Sequence, residues 1–63
     1  MTATTTAVIL IADEDELTRR FLADNLTADG LCARTAGSAD ATRALLSQDP
    51  VDVLVVDVNG RTL

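Results

Sequence analysis

Two acidic features, far apart in the chain, carry most of the chemistry this sequence could perform. One is the tetrad Asp13-Glu14-Asp15-Glu16; the other is Asp57, at the end of the apolar run Val51-Asp52-Val53-Leu54-Val55-Val56. Carboxylates offer three kinds of chemistry: capping of a helix, coordination of a hard cation, and nucleophilic attack on an electrophile such as phosphorus. Taken singly, the tetrad reads as capping and solvated charge, and Asp57 as the first residue of an Asp-Val-Asn-Gly turn. Brought together they would repel one another, and staying ionised at neutral pH would call for an oxygen-liganded cation with open water positions, which suits Mg2+. Which reading holds depends on the elements that position them.

The first element is Val8-Ile9-Leu10-Ile11-Ala12, a short apolar run rich in β-branched residues, expected as a strand buried on both faces. Leu17, Phe21, Leu22 and Leu26 follow at helical spacing, with acids at the helix start, where they suit the positive end of its dipole, and Asp29-Gly30 at its stop. Phe21 is expected in the core, and Arg19-Arg20 on a solvated face. Residues 31–36 form a weaker strand, interrupted by Arg34 and suited to a sheet edge, with Cys32 as a small packing residue. Ser38 caps a second helix whose stripe is Ala41, Ala44, Leu45 and Gln48, and Asp49-Pro50 ends it. A last apolar strand over 53–56 leads into Asp57.

The order is β-α-β-α-β. Helical connections of this length make the strands parallel, right-handed crossovers leave few arrangements, and the first strand, apolar on both faces, is expected in the centre. The expected fold class is α/β, a partial doubly wound parallel sheet of strand order 2-1-3 with one helix on each face. In such a sheet, ligands bind beyond the carboxyl ends of the strands where the order reverses. That point lies between the first and third strands, so Asp13, Glu14 and Asp57 are predicted to meet there.

Composition narrows the functional classes. With 63 residues there is room for one domain, over 1–63, whose threonine-rich residues 1–6 are expected to fray. The net charge is −5, which disfavours direct nucleic-acid binding. All five basic residues are arginines, so Schiff-base lysines, P-loop lysines and imidazole chemistry are ruled out. No general acid or base is evident, which weakens the reading as a metal-dependent hydrolase of similar fold. The opening MTATTTA lacks the basic start of a signal peptide, no apolar run approaches membrane-spanning length, and the lone Cys32 cannot form an intrachain disulfide. The expectation is a soluble cytoplasmic protein without a membrane partner.

The run Ile9-Leu10-Ile11-Ala12-Asp13-Glu14-Asp15-Glu16-Leu17-Thr18-Arg19-Arg20-Phe21-Leu22 resembles the opening of a bacterial response-regulator receiver domain. "TADGLCARTAGSADATRALL" resembles that family's next stretch, and "PVDVLVVDV" its phosphoacceptor strand, so the likeness spans about 8–59. The 2-1-3 order is itself the start of that family's flavodoxin-like sheet. The resemblance implies that Asp57 accepts a phosphoryl group from a sensor histidine kinase in a two-component phosphorelay. It places Asp13 and Glu14 where the family's acidic pair holds Mg2+, with Asp57 itself, and Asn59 where the family uses a backbone carbonyl as a ligand.

Three departures accompany it. Glu14 stands where aspartate is usual, Val-Asn-Gly replaces the usual proline-glycine loop after Asp57, and the 63 residues span about half of a receiver. The strands bearing the switch Ser/Thr and the invariant lysine have no counterpart here, and Arg61 is a poor geometric substitute for that lysine. The competing expectation is therefore a receiver remnant without phosphotransfer, self-associating through the open edge of its third strand.

Overall fold

A computed structural model describes residues 6–57. Three strands, β1 (Val8–Ala12), β2 (Cys32–Ala36) and β3 (Val53–Val56), alternate with two helices, α1 (Glu16–Ala28) and α2 (Ala39–Gln48). The sheet is parallel throughout, in the order β2-β1-β3. It is a partial doubly wound, flavodoxin-like sheet, as the sequence led us to expect. The register pairs Ala12 with Ala36 on one side and with Val56 on the other, so all three strands end level.

Local chemistry explains each boundary. Asp15 caps α1, its carboxylate accepting from the Thr18 amide and hydroxyl. The helix ends in a Schellman arrangement: Leu31 N–H donates to Leu26 O at 3.0 Å and Gly30 N–H to Thr27 O at 3.0 Å. Gly30 takes φ +88°, a conformation that side chains other than hydrogen resist. Ser38 Oγ accepts from Ala41 N–H at 3.1 Å and starts α2. Asp52 fastens the start of β3, donating its amide to Val8 O at 2.8 Å and accepting from Val8 N–H at 2.7 Å.

The step from β1 to β2 and the step from β2 to β3 run in opposite directions across the sheet. With right-handed crossovers the two helices therefore take opposite faces. The buried apolar residues are Ile9, Leu10, Ile11, Ala12 and Ala36, four of them on β1. This central strand is the core, as its uninterrupted apolar run predicts.

Several expectations fail, and for β3 the reason is that neither helix packs against it. All four β3 residues are apolar yet between 40% and 48% exposed. Phe21 is not core: it is 67% exposed, and Leu17 on the same stripe is 74% exposed. A helix covering two strands needs only part of its apolar stripe, and Leu22 and Leu26 supply it. In α2 the buried residue is Thr42, whose hydroxyl donates to Ser38 O at 2.7 Å, while Ala44 and Gln48 are exposed. Cys32 opens the edge strand and is exposed, not packed. The proposed fraying of 1–6 lies, for residues 1–5, outside the described residues.

Asp15 gives the fold a definite acid response. Its carboxyl is held below the ordinary value, chiefly by the Thr18 hydroxyl, against a desolvation cost and with help from the Thr18 and Leu17 amides and Arg19. A carboxyl depressed in the folded state stabilises above its unfolded value, and that contribution fades as pH falls through the lower folded value. The Thr18 amide resonance is expected to titrate with a midpoint below that of an unstructured aspartate. Asp15→Ala should abolish that titration; a midpoint at or above the ordinary value would contradict the cap.

Candidate functional site

The sheet carries its ladders one bond beyond the strand ends. Asp13 N–H donates to Ala36 O at 3.1 Å, and Asp57 N–H donates to Ala12 O at 3.1 Å. Each carboxylate is thus borne on backbone tied to the neighbouring strand, not on a free loop. Since Ala12 pairs with Val56, the next residues, Asp13 and Asp57, emerge side by side. Neighbouring strands lie about 4.8 Å apart, so the two backbones are within easy reach of a common ion. This is the position between β1 and β3 where the strand order reverses.

The acids differ in their surroundings. Asp13 is buried, 8% exposed, and its Oδ1 accepts from Asp15 N–H at 2.9 Å, which fixes the carboxylate against the first turn of α1. Asp57 is half-buried, Glu14 is exposed, and Asp15 is committed to its cap. Burial of charge is costly unless hydrogen bonds or counter-charges offset it, so Asp13 is the group whose placement most needs a reason. Asn59 and Arg61 lie outside the described residues.

Among the described residues no group of three Asp, Glu, His or Cys side chains is gathered as a metal-binding cluster. Of the residues expected to meet at the switch point, Asp13 and Asp57 are brought side by side by the strand register, and Glu14 is the next residue after Asp13. The donor chemistry remains that of a hard cation: carboxylate oxygens, no sulfur or nitrogen ligand. Mg2+ keeps several waters and commonly takes only one or two protein carboxylates, so the pair fits such an ion and does not form a closed cage.

Beside the strand ends lies an open, mainly apolar groove of about 190 Å³, lined by Ala12, Ala39, Thr42, Arg43, Leu54 and Val56. It marks where α2 stands off from β3. Arg43 at its rim is paired with Asp40.

Sequence patterning missed Arg19. Assigned to a solvated face, it is half-buried, and its Nη1 donates to Asp13 O at 2.8 Å and to Glu14 O at 3.2 Å. The signal was its place one helical turn after the cap, where a long side chain folds back over the preceding loop.

No protein-family model matches this chain, and neither a curated protein nor a solved structure shows significant similarity to it. No described helix is long and apolar enough to cross a membrane.

Proposed function

We propose that the chain is a phosphoacceptor segment of the receiver type, taking a phosphoryl group on Asp57 from the histidine of a sensor kinase. The observation that carries this reading is the emergence of Asp13 and Asp57 side by side at the switch point of a doubly wound sheet, on strands locked level by hydrogen bonds. The resemblance of the β1–α1 and β3 stretches to receivers supports it. In the transfer, an Asp57 carboxylate oxygen attacks phosphorus, the bond from phosphorus to the donor's imidazole nitrogen breaks, and that nitrogen keeps the electron pair and takes up a proton from solvent. Attack by an anion on an anionic phosphoryl group meets charge repulsion, which a Mg2+ held by Asp13 and Asp57, with Glu14 and the Asn59 carbonyl as further ligands, would offset. The chain is then a substrate of the kinase, working where phosphodonor and Mg2+ are available, as in the cytoplasm. The test is phosphorylation by a small acyl phosphate plus Mg2+; absence of Asp57-dependent label overturns the reading.

A second reading, a protein-interaction module, is favoured by β3. The strand pairs with β1 on one side, neither helix covers it, and four consecutive apolar residues remain accessible. Such a strand is a template for pairing with another chain, and a second copy is always at hand. Burying what remains exposed of each β3 side chain would contribute about 1 kcal/mol. In sedimentation velocity the chain is expected to run above its 6.6 kDa monomer mass at tens of micromolar, and Val55→Lys to return it to monomer. A strict monomer across that range argues against association.

A further inference from the structure

We propose that Arg19 is the positioning residue of the acidic loop, admitted to its place by the missing side chain of Gly37. The inference rests on the reading of Asp13 as part of the phosphoryl-accepting cleft. Arg19 is anchored at the first turn of α1, its amide donating to Asp15 O at 3.0 Å. From there one guanidinium nitrogen reaches back to two successive carbonyls, Asp13 O and Glu14 O. Those are the two residues that follow β1 into the cleft. A loop carbonyl turned toward the protein needs a donor, and one guanidinium nitrogen satisfies two at once.

Gly37 completes the arrangement. A Cβ built there would lie 2.9 Å from Arg19 Nη1, closer than such atoms approach, and 3.2 Å from its Cζ, so the flexible end of the arginine would have to move aside. The backbone does not demand glycine at this point, since the positive-φ glycine among the described residues is Gly30. What Gly37 supplies is space, into which the flat guanidinium fits. Gly37 follows Ala36, whose carbonyl receives the Asp13 amide. The end of β1, the first turn of α1 and the end of β2 thus close a circuit through Arg19. An ammonium could donate to one or both carbonyls but lacks the planar shape of the slot's present occupant.

The test uses the full chain carrying Arg19→Ala, Arg19→Lys, Gly37→Ala, or Arg19→Ala with Gly37→Ala. Two readouts are taken: hydrogen-exchange protection of the Asp13 and Asp15 amides, and the Mg2+ concentration that half-saturates the shifts of the Asp13 and Asp57 amide resonances. Far-UV circular dichroism controls for folding. Arg19→Ala is expected to lower protection at both amides and to raise the half-saturating Mg2+ roughly tenfold, the size found when groups that orient metal ligands are removed. Gly37→Ala should act in the same direction, because its methyl displaces the guanidinium. The double variant should be no worse than Arg19→Ala alone, and Arg19→Lys should recover part of the loss. Unchanged protection and unchanged half-saturation in Arg19→Ala would overturn the proposal; additive effects in the double variant would overturn the part assigned to Gly37. Loss of amide protection in a chain whose parent form ignores Mg2+ would sink the metal reading and uphold the positioning. Should Arg19→Ala unfold, Arg19→Gln carries the same comparison.

Discussion

Asp57→Asn is expected to reduce phosphoryl incorporation to background. The substitution keeps size, shape and the amide that donates to Ala12 O, so the β1–β3 ladder survives. What it removes is the anionic oxygen, and a carboxamide is too weak a nucleophile to form the acyl phosphate. The product should be visible by intact-mass spectrometry as a hydroxylamine-labile adduct in the parent chain and absent from Asp57→Asn. Two companions make the result specific. Asp13→Asn leaves the acceptor in place and should raise the Mg2+ requirement. Asp52→Ala removes a carboxylate at the opposite end of β3, and a folded Asp52→Ala chain should retain labelling, since Asp52 serves Val8 N–H and not the cleft. Equal labelling of the parent and Asp57→Asn would overturn the assignment of the acceptor.

The second large effect is on stability. Leu10 is fully buried at the middle of the central strand, paired with Arg34 on one side and Leu54 on the other. Leu10→Ala is expected to cost about 2–5 kcal/mol, from lost transfer energy and the cavity left behind. Domains of this size have about 3–9 kcal/mol in total. The substitution should therefore remove most of the cooperative urea transition followed by circular dichroism, a probe chosen because the chain has no Trp or Tyr. Phe21→Ala is the contrast. Its ring is larger, but it is 67% exposed, so its loss should move the midpoint little. A Phe21→Ala chain as damaged as Leu10→Ala would contradict this distribution of the core.

The contrast between those two residues shows what sequence patterning could and could not reach. Val8–Ala12 is apolar at every position, and only a strand covered on both faces needs that, so its central place was legible. The caps were legible for a similar reason: Asp15, Ser38 and Gly30 act on amides and dihedral angles within a few residues. Phe21 was not, because helical spacing marks a stripe without saying how much of it a neighbour covers. Val53–Val56 carries the same ambiguity in stronger form: its composition is that of an interior strand, yet both helices lie over β1 and β2.

By itself, then, the sequence determined the element order, the parallel 2-1-3 sheet and the arrival of Asp13 and Asp57 at one switch point. These follow from local periodicity, capping and the handedness of crossovers, all of which act over short stretches of chain. Tertiary structure alone decided that Asp13 is buried while Glu14 is exposed, and that β3 stays uncovered. It also turned Arg19 from a solvated charge into the clasp of the acidic loop, fitted against Gly37. The bare face of β3 and the fit of Arg19 against Gly37 depend on which surfaces meet across distant stretches of chain, 18 residues between Arg19 and Gly37, and no periodicity within a single element encodes such a meeting.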